Sequence, residues 1–223
     1  MKRGFALLSV LWCVGLLSAV AAVLLRAVHA DLAQARTDLA LARAQAAADG
    51  EARLAILKAL GQPLLPWDGR ERGGVIFQDE GGLVDLNAAS PVLLAALLRK
   101  AGAAPEKAAA ILAARGPETA PTPFWSTIDL ARVPGFDAPL LRRLLPWITV
   151  DSGQPGIDPN TAPPALAADL PAPVLTDSRH SAVRISAQAA IDGVVAWRTA
   201  DVRLTRQGAL PYRILTWTAE GPG

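Results

Sequence analysis

The side chains that could carry out catalysis or bind a metal are few in this sequence of 223 residues. The two histidines, His29 and His180, are far apart, and neither is surrounded by the spacing of a catalytic triad or of a metal site. The single cysteine, Cys13, lies in an apolar segment, which excludes an intramolecular disulfide and a cysteine-based metal site. We therefore expect a protein that is not an enzyme and that requires no cofactor.

Three carboxylates form a weak candidate for a calcium site. Asp79, Glu80 and Asp85 surround a glycine-containing turn, and calcium binds carboxylates and carbonyls at such turns. The alternative is an exposed hairpin turn at residues 79–82, which joins short strands at 75–78 and 83–86. We prefer the hairpin and assign no metal.

The candidate processing site is the peptide bond after Gly4. Lys2, Arg3 and Gly4 precede 21 residues, Phe5–Leu25, that contain no charged side chain. As a helix this segment is about 31 Å long, enough to cross a bilayer core of about 30 Å. It is too long for the apolar part of a secretory signal peptide, which leaves a signal anchor or a prepilin leader that is cut after Gly4.

Lys2 and Arg3 account for the whole net charge of +2, because the remaining 20 basic residues balance 20 acidic ones. The body of the protein is therefore neutral, and its charge gives no reason to expect a nucleic acid or an anionic surface as partner.

The elements that must position the N-terminus begin with one long helix. No proline occurs from Phe5 to Leu60, which predicts a helix of about 80 Å that is apolar all round in its first half and amphipathic in its second. The stripe of the second half consists of Val28, Leu32, Ala35, Leu39, Ala42, Ala46, Gly50, Leu54 and Leu57. Alternating residues at 183–189 and 199–204, a turn at Asp192-Gly193 and a strand at Tyr212–Thr218 predict an antiparallel sheet on which this stripe is buried.

The middle of the chain predicts helices. Ser90 and Pro91 are an N-cap and a first helical residue for a helix at 91–100, and a second follows at 105–114. The glycines and prolines at 63–74 predict a loop.

The chain resembles the type IV pilins and pseudopilins, and most closely the minor pseudopilin K family of type II secretion, in a short form. The resemblance rests on the leader, on the phrase at 82–89, on Phe124–Phe136 and on the closing phrases at 144–150 and 157–162. A longer acidic stretch of that family is replaced here by residues 115–123. Ser9 stands where most pilins have glutamate, and protein K is the pseudopilin that usually lacks it.

The resemblance implies an α+β fold, in which the long helix packs on a small antiparallel sheet that carries an α-helical, helix-hairpin-helix-like insertion. It implies cleavage after Gly4 by prepilin peptidase, methylation of Phe5, an inner-membrane location with a periplasmic C-terminal domain, and a place at the pseudopilus tip. The implied partners are other minor pseudopilins and the inner-membrane assembly platform. The expected segments are 1–4 (leader), 5–25 (transmembrane), 26–61 (amphipathic helix), 62–87 (first part of the sheet domain), 88–150 (helical insertion), 151–178 (Pro-rich connection) and 179–223 (C-terminal sheet).

Two alternatives remain, a minor type IV pilin and a membrane-anchored helix-hairpin-helix protein that binds DNA. Phosphate binding by such hairpins requires a Gly-x-Gly turn, but Asp137 replaces the second glycine after Gly135. The hairpin at 101–105 also lacks it, and we expect no nucleic acid as partner.

Helices in lipid associate through close packing of small residues. The apolar half of the long helix offers one such face, which is the expected contact with partner subunits. It consists of Gly15, Ser18, Ala19 and Ala22.

Overall fold

The structure, a computed structural model, describes residues 2–61, 68–116, 119–168, 170–171, 174–205 and 210–221, with side chains from Val10 onward. These residues form a long helix, a five-stranded antiparallel sheet and a helical domain that is inserted between two strands of the sheet.

Helix α1 runs without interruption over Lys2–Gly61. It is about 90 Å long, because each residue adds about 1.5 Å. The prediction of one continuous helix is therefore confirmed.

The sheet has the strand order β1-β2-β5-β6-β7, and every neighbouring pair is antiparallel. Its strands are β1 (Asp68–Arg72), β2 (Val75–Asp79), β5 (Ala182–Ile191), β6 (Val194–Leu204) and β7 (Tyr212–Thr218). The C-terminal meander is where the alternation predicted it, with Asp192 and Gly193 at positive φ in the hairpin turn. Strand β1 was not predicted, because its residues, Asp-Gly-Arg-Glu-Arg, lack an apolar alternation.

The helical domain contains α2 (Pro91–Lys100), α3 (Ala108–Ala114), α4 (Ala138–Leu144) and the short α5 (Pro164–Ala167). Ser90 caps α2 through its side chain, and Pro91 is the first helical residue, as the sequence indicates. The domain has a core of its own, built around the fully buried Leu93, Leu97 and Leu144.

The predicted hairpin between 75–78 and 83–86 is wrong. Residues Glu80–Gly82 form a buried 3-10 turn, and β3 (Val84–Asp85) then pairs in parallel with β4 (Ile148–Thr149). The acidic and glycine residues at 79–82 are typical of exposed turns, so their composition does not reveal that this turn is buried. The parallel pair closes the helical domain at the point where it joins the sheet.

Candidate functional site

The predicted processing residues, Gly4 and Phe5, both lie within helix α1. The side chain of Phe5 falls outside the described part of the chain. From Val10 onward, α1 contains a window with a mean hydropathy of 2.2 and no residue buried against the rest of the protein. Among the described residues it is the one helix that is long and apolar enough to span a membrane.

The predicted small-residue face is partly a groove. Gly15 and Ala19 line a depression of about 480 Å³ together with Leu11, Trp12 and Leu16. Ser18 and Ala22 are exposed on α1 outside this groove. The groove exists because the small side chains at 15 and 19 leave space between larger neighbours, and a second apolar helix could approach closely there.

The soluble half of α1 contacts the sheet through alanines and one isoleucine, not through the predicted stripe. The buried residues are Ala40, Ala44, Ala48, Ala52, Ala55, Ile56 and Ala59. Of these, Ala52, Ala55, Ile56 and Ala59 pack in one cluster with residues of the sheet that include Val75, Val183, Ile185, Ala187, Ala200 and Val202. At about 100° per residue this inner face lies opposite the predicted stripe.

The prediction that the stripe packs on the sheet is therefore wrong. Leu39, Leu54 and Leu57 are each more than half exposed. The prediction assigned the more hydrophobic leucines to the contact with the sheet. A closely packed helix–sheet contact instead requires small side chains such as alanine. We call this stripe the outer face: Val28, Leu32, Ala35, Leu39, Ala42, Ala46, Gly50, Leu54 and Leu57, all exposed except the partly buried Gly50.

A buried polar cluster joins the sheet to the helical domain, and it uses two of the predicted calcium ligands. Oδ1 of Asp79 accepts a hydrogen bond from the backbone N–H of Gly81 at 2.8 Å, and its other oxygen contacts the ring of His180. Glu80 accepts a hydrogen bond from the hydroxyl of Thr149, in β4.

Glu80 also faces the guanidinium group of Arg184, in β5, at 3.3 Å. Burial raises the pKa of Glu80 to about 8, because desolvation outweighs the attraction of Arg184. Nε of Arg184 in turn donates to Oδ1 of Asp201 at 2.8 Å. Burial acts to raise the pKa of Asp201, but Arg184 and the Thr216 hydroxyl together hold it below its usual range. Arg184 therefore favours the charged form of Asp201, whereas burial favours the neutral form of Glu80.

The third predicted ligand, Asp85, forms its own hydrogen bonds, apart from those of Asp79 and Glu80. Its Oδ1 accepts from the backbone N–H groups of Asn87 and Ala88, and its Oδ2 accepts from Ser152 Oγ and Gly153 N. Across the described residues, no group of three or more His, Cys, Asp or Glu side chains is arranged to hold a metal ion. These carboxylates connect chain segments to one another.

In the two hairpins that resemble DNA-binding units, polar side chains form hydrogen bonds within the protein. Asp137 accepts from the backbone N–H of Leu140 at 2.9 Å and caps α4. Nζ of Lys107 donates to the carbonyl of Gly135 and lies 5.8 Å from the centre of the Phe136 ring. The Asp137 carboxylate lies at the start of the helix, where a phosphate would bind, and the ammonium group of Lys107 is hydrogen-bonded to the hairpin.

A search of solved structures finds similarity to a chain of the crystal structure of the GspK-GspI-GspJ complex from the enterotoxigenic Escherichia coli type 2 secretion system. The TM-score is 0.55 and the sequence identity is 16%, over 85% of this chain and 99% of the solved chain, which is GspK. No family model matches the sequence, and no curated protein matches it.

The similarity confirms the predicted fold. This chain has the fold of minor pseudopilin K, a long helix on an antiparallel sheet with a helical domain. Residues 86–147, between β3 and β4, make up more than a quarter of the chain. A match over 85% must therefore extend into the helical domain.

Proposed function

We propose that this protein is a minor pseudopilin of a type II secretion system, equivalent to protein K. The observation that carries the proposal is the match to nearly the whole of a solved GspK chain, including part of the helical domain. The apolar helix at the N-terminus supports it, because a pseudopilin is anchored by such a helix before assembly.

In this proposal residues 5–25 cross the inner membrane and the C-terminal domain lies in the periplasm. Prepilin peptidase cuts after Gly4, and Phe5 is methylated. The protein acts without enzymatic activity and without a cofactor. It joins other minor pseudopilins in a complex at the pseudopilus tip, which primes or caps assembly on the inner-membrane platform.

Ser9 fits a position at the tip. It is the fifth residue after the proposed cleavage site, where a pilin glutamate would meet the N-terminal amine of a neighbouring subunit. A carboxylate in the bilayer core costs about 3 kcal/mol, so it is retained only where such a partner exists. A subunit with nothing above it has no use for that carboxylate.

The test is deletion of the gene in the organism that carries it, followed by complementation with a tagged full-length chain. We expect deletion to abolish secretion of the type II cargo, and the tagged chain to restore it and to recover other minor pseudopilins from detergent-solubilised membranes. Normal secretion after deletion, together with recovery of no minor pseudopilin, would contradict the proposal.

A further inference from the structure

The two edge strands of the sheet differ in how well they are protected against pairing with another chain. Strand β1 is the short segment Asp-Gly-Arg-Glu-Arg, in which Asp68 forms ion pairs with Arg70 at 3.6 Å and with Arg72 at 2.7 Å. Charged side chains on a short edge strand discourage the addition of another strand. Strand β7, Tyr-Arg-Ile-Leu-Thr-Trp-Thr, is longer and contains one charged residue, Arg213, and no proline. In the part of the chain that the structure describes, β7 pairs with β6 alone, so its other edge is open.

The backbone of β7 presents hydrogen-bonding groups to this open edge. The N–H of Thr205 donates to the carbonyl of Pro211 at 2.9 Å, at the start of the β6–β7 ladder. In an antiparallel ladder every second residue forms its backbone hydrogen bonds with the neighbouring strand. Arg213, two residues after Pro211, therefore bonds to β6, whereas the N–H and C=O groups of Tyr212 and Ile214 point away from it. An added strand would meet these groups.

Two arginines lie opposite each other beside the open edge. Arg203 of β6 pairs directly with Arg213 of β7, and like charges in this position destabilise a sheet. Nη2 of Arg203 donates to the carbonyl of Asp151 at 2.9 Å, so its charge is directed towards the helical domain. Asp201, also on β6, is paired with Arg184. Arg213 is exposed and forms no ion pair with any described residue, which leaves a cation at the edge for a carboxylate from another molecule.

The side chains of β7 define the sequence that would fit beside it. Tyr212 and Ile214 lie opposite Leu204 and Val202, on the side of the sheet that packs against α1, and Ile214 is 41% exposed. Arg213 lies on the other side, because successive side chains of a strand alternate. In an added strand, the residue facing Arg213 would be in a non-hydrogen-bonded pair, in which side chains are closest. The complement is therefore an acidic residue between two apolar ones.

A second copy of this chain does not supply that complement from its own edge strands. Its β7 contains no acidic residue. Its β1 contains Asp68 and Glu71 but no apolar side chain to cover Ile214. The pattern therefore favours a segment from a different protein.

We propose that β7 binds an extended segment of another protein as an additional strand of the sheet, with Asp or Glu opposite Arg213 and an apolar residue opposite each of Tyr212 and Ile214. Main-chain hydrogen bonds supply affinity in this mode of recognition, and the alternating side chains supply specificity. The inference goes beyond the proposed function, because it assigns a peptide-binding edge whether or not the partner belongs to a secretion system.

The test is a titration of the full-length chain in detergent with a blocked, fluorescent peptide of about nine residues, in which threonine alternates with valine and the central threonine is replaced by glutamate. We expect saturable binding by fluorescence anisotropy. Arg213→Glu should weaken it about fivefold, because a cross-strand attraction becomes a repulsion. A peptide with lysine in place of the glutamate should restore binding to this variant. The matched control is Arg142→Glu, which reverses an exposed arginine of α4 and should leave the affinity unchanged.

Amide hydrogen exchange supplies a second readout that does not depend on charge. The peptide should protect the N–H groups of Tyr212 and Ile214, whereas that of Arg213, already bonded to β6, should change little. No binding at millimolar peptide, or equal affinity of the wild-type chain and the Arg213→Glu variant for the glutamate peptide, would overturn the proposal. Protection of Tyr212 and Ile214 that rises with protein concentration in the absence of peptide would also overturn it and assign the edge to a second copy. The proposed function is tested separately, by secretion and by recovery of minor pseudopilins.

Discussion

Nη2 of Arg184 lies 3.3 Å from Oε1 of Glu80, a carboxyl group that is wholly buried. The contact joins β5 to the 3-10 turn after β2, and the Thr149 hydroxyl extends it to β4 and the helical domain. The junction between the two cores of the protein is therefore polar, and its protonation state bears on stability.

Glu80→Gln should remove a pH dependence of stability. Burial raises the pKa of Glu80 from 4.5 to about 8 in the folded protein. The contribution of Glu80 to the free energy of unfolding is therefore greatest below about pH 4.5 and falls as the pH rises to about 8. We expect thermal unfolding of the wild-type chain in detergent to shift to lower temperature between about pH 5 and pH 8, and that of the variant to shift much less.

The control for that measurement is Asp68→Asn. Its Arg72 partner lowers the pKa of Asp68 to about 2, so the contribution of this carboxylate to stability changes with pH only below about pH 4. Asp68→Asn should therefore shift the unfolding temperature by a constant amount across the tested window and keep the wild-type slope. Equal slopes for the wild-type chain and the Glu80→Gln variant would show that Glu80 is ionised in the folded protein.

Two glycine substitutions should change stability in opposite directions. A Cβ on Gly82 would come within 2.5 Å of the carbonyl group of Thr161, so Gly82→Ala should cost about 3 kcal/mol through displaced backbone. Gly50 lies in the interior of α1 with nothing within 4 Å, so Gly50→Ala should add about 1 kcal/mol. Denaturant unfolding of both variants checks the signs, and a stable Gly82→Ala variant would mean that the turn can move.

Gly4→Leu should leave an unprocessed precursor in the membrane, because a short basic leader that ends in glycine is what prepilin peptidase recognises in the family this chain resembles. Mass spectrometry of the wild-type N-terminus should find Phe5 as the first residue, with a methyl group. An intact Met1 in cells with an active peptidase would favour a plain signal anchor.

Gly15→Leu and Ala19→Leu should keep membrane insertion and reduce recovery of the proposed complex with other minor pseudopilins several-fold, because they fill the groove between Leu11 and Leu16. Cys13→Leu, elsewhere on the helix and also exposed, is the matched control. If the groove variants and the control recover the complex equally, assembly depends on the soluble domain instead.

The full-length chain in detergent should show no salt-dependent affinity for duplex DNA beyond weak non-specific association. Lys107 is engaged by the hairpin that would contact a phosphate, and Asp137 occupies the helix start behind it. Sub-micromolar binding at physiological salt that weakens when Lys100, Lys107, Arg142 or Arg143 is changed would contradict this.

The sequence predicted correctly the helices, caps and turns that are determined by residues close together in the chain. The cap at Ser90, the turn at Asp192 and the length of α1 follow from neighbouring residues alone. The resemblance to protein K then predicted how these elements are arranged, with the long helix on the sheet and the helical domain inserted into it.

Features that depend on distant residues were missed. Nothing near Val84 indicates that it pairs with Ile148, and nothing near Glu80 indicates that Arg184 approaches it. The face of α1 that meets the sheet was assigned to leucines, because the hydrophobic pattern records which residues avoid water but not which partner they meet. The alternation of Arg184 with apolar neighbours on β5 was the one available sign of a polar cluster behind the sheet.

The strand order also sets an order of events during synthesis. Strand β2 is complete early, but its neighbour β5 pairs Ala187 with Val75, more than a hundred residues upstream. Once synthesised, the helical domain can form its own core, because most of its contacts are within the domain. At that stage β1 and β2 form only an isolated hairpin, which has little stability in water. The inner, alanine-rich face of α1 therefore stays uncovered until β5 and β6 have been synthesised, and truncation before β5 leaves the earlier hairpin without a partner.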